Sequence, residues 1–432
     1  MTKPSTEIEF SRFGEKLREQ CGILELMDDL GKALTTNPDM RMMGGGNPAA
    51  IPQVQQIWRD RARELLKEGK EFDRMLVNYD PPAGNPRFLK AVASCLNRDT
   101  GWNVHPENVA VTCGGQTAFF FLFNMLAGKF SDGSHRKILL PLTPEYIGYA
   151  NQGVSQDLFT ALPAIIEEGE HNTFKYRVDF DNLEITKEIA AICVSRPTNP
   201  SGNVLSDTEI ARLSDLAKEN GIPLIIDNAY GNPFPGAIFT DAQPIWDEHI
   251  ILTLSLSKLG LPGTRTGIIV ASEVITNAIS AMTAVVGLAN NNIGQTLALP
   301  LLESGELIHI SNDIIRPFYK KRAEKAREFL DEAFNDSTPY RVHATEGAFF
   351  LWLWFPELPI SSNELYCRLK QRDVLVVPGD YFFFGLDEPW QHSQECIRVT
   401  FSQPMEIVRE GIVIIAEEVR KAYRDRIKET CR

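Results

Sequence analysis

The 432-residue chain carries 44 Lys and Arg against 57 Asp and Glu, a formal net charge of −13, so its surface repels phosphate backbones and a general nucleic-acid binder is excluded. Its seven cysteines (Cys21, Cys95, Cys113, Cys193, Cys367, Cys396 and Cys431) are scattered, odd in number and free of any C-x-x-C pair, which argues against a disulfide framework or zinc ribbon and for a reducing compartment. The start, "MTKPSTEIEFSRFG", has no apolar core and is not a secretory signal, and the longest apolar stretch, "TAFFFLFNMLAG", is too short to cross a bilayer, so a cytoplasmic enzyme without membrane contact is expected.

In chain order, short apolar runs alternate with helical spacing. The runs are "NVAVT" (108–112), "KILLPL" (137–142), "AAICVS" (190–195), "IPLIID" (222–227), "IILTLS" up to Ser255, and "GIIVAS" (267–272). Apolar on both faces and joined by helices such as 205–220, they predict a mostly parallel sheet covered on both sides, in a large α/β domain over about 51–309. Ser206 or Asp207 can cap the 205–220 helix, and Gly221 ends it. Past residue 305 the pattern changes. Residues 314–334 have the spacing of a long amphipathic helix. "GAFFLWLWF" (347–355), "VLVVPG" (374–379) and "CIRVTFS" (396–402) read as strands of a second, smaller sheet, and a closing helix runs from about 404 to 428.

Ligands of open parallel sheets bind at the carboxyl ends of the strands, and here those ends carry polar groups. After "VAVT" come Gly114, Gly115, Gln116 and Thr117 at a helix start, where free N–H groups make an anion seat; a plain βα turn has the same composition. Neither G-x-G-x-x-G nor G-x-x-x-x-G-K-[ST] occurs, so dinucleotide and P-loop fingerprints are absent. "SRPTNPSGNVL" leaves its strand with Asn199 between Pro197 and Pro200, a rigid turn that aims one amide. "PLIIDNAYG" ends in Asp227, with Tyr230 three residues on. A carboxylate there needs a cation, a metal or a donor, or else it caps the next turn. No histidine lies beside it, so no metal site is expected.

Lys258, in "SLSKLGLPGTRTG", follows a buried strand. Poor solvation and a neighbouring cation lower the basicity of such an amine and make it nucleophilic. Arg265 and the hydroxyls of Ser255 and Ser257 suit a phosphate dianion. A reactive amine beside a phosphate cup is what an aldehyde cofactor bearing a phosphate requires. The competing reading, a surface lysine after a strand, weakens once the strand ends at Asp227, Asn199 and Gly115 are counted with it.

These three segments, in this order and at these separations, resemble the signature set of the fold-type I aminotransferases that use pyridoxal 5′-phosphate (PLP). The similarity runs nearly end to end: "NYDPPAGNPRFLKAV" is similar to the family's Tyr–Gly–Leu–Arg region and "CIRVTFS" to its C-terminal arginine strand. The resemblance implies an α/β fold, with a large PLP-binding domain (51–309) around a mostly parallel, seven-stranded type of sheet and a smaller α+β domain made of 1–50 and 310–432. It also implies roles. Lys258 would form the imine with the cofactor and carry the proton between Cα and the cofactor carbon. Asp227 would pair with the pyridine nitrogen, Tyr230 and Asn199 would bond the 3′ oxygen, and Tyr146 would lie on the ring face. Ser255, Arg265, Gly115 and Gln116 would hold the phosphate, reached by Tyr79 from the other subunit of an obligate homodimer. Arg398 would clamp the substrate α-carboxylate, helped by Asn199 and by backbone of the Gly44–Asn47 loop, Gly46 included.

Two departures stand out. Gly115 occupies a place where many members have serine, so one phosphate hydroxyl is missing, with Thr117 and Ser257 as candidates to replace it. The first loop reads "GGGNPA" where a single glycine is commoner. Within the family, "GGGNPAAIP", "LTPEYIGYA", "AYGNPFPGAIF", "SLSKLGLPG" and "GAFFLWLWF" are most similar to members that pass an amino group between valine and pyruvate, which implies amino-acid and 2-oxo-acid substrates handled in a ping-pong cycle. Transamination of other neutral amino acids, or C–S β-lysis on the same residues, remains open. A PLP-sensing transcription regulator needs a DNA-binding domain that about fifty acidic-leaning residues cannot supply. A phosphate-binding enzyme without PLP would lack its glycine-rich fingerprint. A dicarboxylic substrate would need a second cation, with Arg41, Arg74 and Arg87 as candidates. "YFFFGL" (381–386) reads as core or as an apolar pocket wall, and His392 and Cys396 as a surface histidine and a buried cysteine.

Overall fold

The computed structural model describes residues 8–18, 22, 24, 25, 27–29, 31, 37 and 39–430. Cys21, Cys431 and the opening "MTKPSTE" lie outside the described residues.

The large sheet runs, edge to edge, through Val109–Thr112, Gly267–Val270, Ile250–Ser255, Leu224–Asp227, Ile189–Ser195, His135–Thr143 and Gly128–Lys129, with Phe159–Pro163 also paired to His135–Thr143. The junctions among Ile250–Ser255, Leu224–Asp227, Ile189–Ser195, His135–Thr143 and Phe159–Pro163 are parallel. Those to Gly267–Val270, Val109–Thr112 and Gly128–Lys129 are antiparallel. The sheet is therefore mostly parallel, as expected, and its eighth strand is the two-residue edge piece Gly128–Lys129.

Alternation explains why the central runs are apolar throughout. Successive side chains point to opposite faces, so Ile225, Ile251 and Ile269 enter one buried cluster while Ile226, Leu252 and Ile268 enter the other. Each such side chain contributes roughly 1.5–3 kcal/mol by burial. Helices cover both faces. Asp207–Glu219 begins with a capping box: Ser206 Oγ accepts the Glu209 N–H at 3.2 Å, and the Glu209 carboxylate accepts the Ser206 N–H at 2.8 Å. Ser206, not Asp207, is the cap, because the Asp207 carboxylate turns to the guanidinium of Arg196. The helix closes at Asn220, and Gly221 follows at φ +64°.

A second sheet runs Val377–Pro378, Cys396–Thr400, Phe350–Trp354, Arg341–His343, Thr173–Arg177 and Ile165–Glu168. Its last two strands come from between strands of the large sheet. The 374–379 run is two strands: Val374–Leu375 pairs with Arg41–Met42, and Val377–Pro378 with the Cys396–Thr400 strand. In the 347–355 run the strand starts only at Phe350, because Gly347 bridges Ile238 and Ala348 turns at φ +58°. The long helices span Arg316–Ala333 and Met405–Thr430.

His392 is buried, not at the surface. Its Nε2 lies 2.6 Å from the Tyr176 hydroxyl, which accepts the Trp352 indole N–H at 2.7 Å, and Cys396 is buried beside it. An aromatic cluster with its own hydrogen-bond partners can enclose an imidazole, which sequence position alone does not reveal. Among the described residues no helix is long and apolar enough to cross a membrane.

Candidate active site

Register places the site. Ser195 and Thr253 are the cross-strand neighbours of Asp227 on either side, so three polar side chains close the carboxyl ends of three adjacent parallel strands. A pocket opens there. Gly46, Gly115, Gln116, Tyr146, Asn199, Asp227, Tyr230, Ser255, Lys258, Arg265 and Arg398 all line it. Tyr79 does not: it stands 82% exposed just past the Lys70–Val77 helix.

Lys258 sits in a 3₁₀ turn, Ser257–Leu259, immediately after its strand. Its Nζ donates to the Gly46 carbonyl at 2.7 Å and lies 5.1 Å and 5.2 Å from the Tyr230 and Phe349 ring centres. Burial, joined by the charges of Arg398 and Arg265 and opposed by Asp227, pulls its pKa down to about 8. Asp227 takes the Tyr149 hydroxyl on one oxygen and the Ala229 N–H (3.0 Å) and Thr253 hydroxyl (3.4 Å) on the other. Burial still pushes its carboxyl above the ordinary range, against those hydrogen bonds and Lys258.

Arg398 is buried on the second sheet and reaches into the same pocket. Its Nη1 donates to Asn199 Oδ1 and its Nη2 to the Gly44 carbonyl, each at 2.6 Å. Its Nε is buried with no partner among the described residues, and burial lowers its pKa to about 10. A buried guanidinium held only by neutral oxygens is suited to a carboxylate. Asn199 spends its oxygen on Arg398, which leaves its amide N–H groups as donors.

The Gly115–Leu126 helix has no side-chain cap at its start, so its first N–H groups can face an anion. Gly114, at φ +85°, lies against Arg265: a Cβ there would meet Arg265 Nη2 at 2.1 Å. Of the two candidates for the missing hydroxyl, Ser257 lines the pocket, whereas Thr117 turns its hydroxyl back to the Cys113 carbonyl at 3.1 Å. Gln116 gives one side-chain amide N–H to the Gly148 carbonyl at 2.8 Å, and its backbone N–H lies in the first turn of the helix.

A phosphate-bearing aldehyde with a basic ring nitrogen fits this donor set. Arg265, Ser255, Ser257 and the helix start face one end, the buried Asp227 carboxylate can meet a protonated nitrogen, and the Lys258 amine lies between. The remaining cations proposed for a distal carboxylate are elsewhere: Arg41 pairs with Glu410, Arg74 with Asp80, and Arg87 lies by Glu71 and Glu303. Phe382 is core beneath Arg398, and no residue of 381–386 lines the pocket. Tyr149, Thr253 and Ser195 join the site through packing and strand register, which their places in the sequence do not display.

The chain matches the sequence profile of aminotransferases of class I and II across residues 56–415. It is 46% identical over 418 residues, 96% of this chain and 99% of the other, to a valine–pyruvate aminotransferase of Escherichia coli strain K12. Among solved structures, a valine–pyruvate aminotransferase of Salmonella typhimurium LT2 superposes with a TM-score of 0.86 at 44% identity, covering 93% of this chain and 100% of that one. An aspartate aminotransferase of Thermus thermophilus crystallised with maleate shares the fold at a TM-score of 0.77 and 20% identity, over 95% of this chain and 100% of that one.

Proposed function

The chain belongs to the class I and II aminotransferase family, and within it we propose that this enzyme binds PLP and passes the amino group of valine to pyruvate, giving 2-oxoisovalerate and alanine. The observation that carries the reading is the placement of a buried Arg398, paired with no carboxylate among the described residues, in one pocket with the weakly basic Lys258 amine. Identity of 46% to the Escherichia coli valine–pyruvate enzyme, across 96% of this chain, supports the substrate pair. So does the pocket itself, whose cations among the described residues are Lys258, Arg265 and Arg398, with none left for a second substrate carboxylate.

Bound PLP supplies the electron sink that makes the substrate Cα–H acidic. This chain's residues do the rest. Arg265, Ser255, Ser257 and the Gly115 helix start bind the phosphate, and Tyr230 and Asn199 orient the ring oxygen. Asp227 holds a proton at the ring nitrogen. Arg398 fixes the α-carboxylate, so that Cα faces Lys258. The Lys258 amine, once deprotonated, takes the proton from the substrate Cα and later gives it back, and the second substrate would run the sequence backwards in a ping-pong cycle. Positioned acid–base groups of this kind are worth about a hundred- to ten-thousandfold.

We also assign residues 51–309 to the cofactor domain and 1–50 with 310–432 to the smaller one, with the strands of 165–177 reaching from the first into the second sheet. The enzyme acts as a cytoplasmic homodimer in which Tyr79 reaches the partner's phosphate. The exposed Val77, Tyr79, Val285 and Val286 are apolar surface that a second copy would cover.

The test is the visible spectrum of the PLP-loaded protein. Valine should bleach the Lys258-dependent band and pyruvate should restore it. A band indifferent to valine would remove the donor assignment. Pyruvate and ammonia released from cysteine conjugates would indicate a lyase instead.

A further inference from the structure

Glu145 is fully buried against Ser195, and the mechanism above gives it no part. Its Oε1 accepts the Ser195 backbone N–H at 2.8 Å. Its Oε2 lies 2.6 Å from the Ser195 hydroxyl and 3.1 Å from the Tyr146 N–H. The Ser195 hydroxyl is in turn 3.5 Å from the Tyr149 hydroxyl, and Tyr149 donates to Asp227. Four side chains thus form one line, Glu145–Ser195–Tyr149–Asp227, with a carboxyl at each end.

Counting hydrogens fixes what the line can do. Ser195 and Tyr149 own one hydroxyl hydrogen each. If Glu145 is ionised, Ser195 spends its hydrogen on Glu145, Tyr149 spends its own on Asp227, and the Ser195–Tyr149 contact has no hydrogen. If Glu145 carries a proton, it donates to Ser195, Ser195 donates to Tyr149, and Tyr149 donates to Asp227. Every contact is then filled and every donor points at Asp227. The surroundings favour that state. The titratable groups around Glu145 are Tyr146 and Tyr149 on its own turn, Cys193 on the Ile189–Ser195 strand and Asp227 on the next strand. The 380–382 turn offers it the Phe382 carbonyl on its backbone N–H at 2.9 Å. Among the described residues it forms no ion pair, and a second buried negative charge near Asp227 is disfavoured.

We infer that Glu145 is a positioning residue that holds a proton and, through Ser195 and Tyr149, aims an unbroken run of hydroxyl donors at Asp227, so that Asp227 stays ionised toward the cofactor ring. This rests on the PLP reading of Asp227. Glu145 touches neither cofactor nor substrate. Burial, opposed by the Ser195 and Tyr146 hydrogen bonds and reinforced by Asp227, raises its carboxyl to about 8. The line should therefore lose its polarity on the alkaline side.

The test is infrared difference spectroscopy on the PLP-loaded enzyme. The wild type should show the carbonyl stretch of a protonated carboxyl at pH 7, fading with a midpoint near 8. Glu145→Gln should abolish it. Tyr149→Phe should shift its frequency and also displace the pH titration of the cofactor's visible absorption. If Glu145→Gln does not fold, Ser195→Ala read against wild type decides, because loss of its direct partner must move the band. Absence of the band in wild type overturns the inference, as does a band that Tyr149→Phe leaves unmoved. A protein that takes up no PLP overturns the premise about Asp227 and the role with it. That failure is told apart because the infrared band would still report a protonated Glu145.

Discussion

Arg398 Nη1 donates to Asn199 Oδ1 at 2.6 Å, joining a strand of the second sheet to a turn at the mouth of the first. The contact fixes the guanidinium at one angle, so the clamp for an α-carboxylate is shaped before any substrate arrives. Arg398→Ala should therefore raise KM for every amino acid alike, by roughly 30- to 3,000-fold, the range for truncating one partner of a buried charge pair. Steady-state kinetics on valine, alanine and a larger neutral amino acid check this. A loss confined to one substrate would mean that the arginine reads the side chain.

Gly114 leaves room for the Arg265 guanidinium, and its φ of +85° is a conformation that side chains rarely adopt. Gly114→Ala should push Arg265 off the phosphate seat. PLP affinity should fall about ten- to a hundredfold, the worth of one charge-assisted hydrogen bond. Fluorescence titration with PLP measures it, and unchanged affinity would remove Arg265 from the phosphate.

Lys258 has its pKa lowered from the ordinary 10.5 to about 8. The unfolded chain then binds the proton more tightly than the folded one, so below pH 8 the charged lysine costs the fold stability. The cost fades as pH rises from 8 to 10.5. Lys258→Met should raise the stability of PLP-free protein by about 1–3 kcal/mol at pH 7, after allowance for the pocket's solvent access, and by much less at pH 10. Denaturant melts at the two pH values decide. An equal gain at both would assign the effect to packing.

Mixing Lys258→Ala with Tyr79→Ala should restore activity that neither variant has alone. A hybrid dimer carries one site with both intact residues if Tyr79 crosses the interface. No recovery after denaturation and co-refolding would place Tyr79 in its own subunit's structure.

What the sequence displayed was decided by local rules. Lys258, Asp227 and Asn199 were legible because each is a polar residue at, or within four residues of, the end of a buried apolar run, and a strand end in a parallel sheet faces the ligand. Arg398 was legible only through its resemblance to a family, since its strand belongs to a different sheet. Tyr149, Ser195 and Thr253 were not legible, because their relation to Asp227 depends on register between strands, and register is set by contacts across the whole sheet. The same holds for His392, buried by rings from distant segments, and for the split of 374–379 between two sheets.

Gly44 and Gly46 lend their carbonyl oxygens to Arg398 and Lys258, respectively. Two of the three pocket cations thus lean on neutral acceptors from a single three-residue span, where a fixed aspartate could have stood. An arriving carboxylate has only a peptide dipole to displace, so it exchanges one partner for a stronger one and keeps most of its attraction.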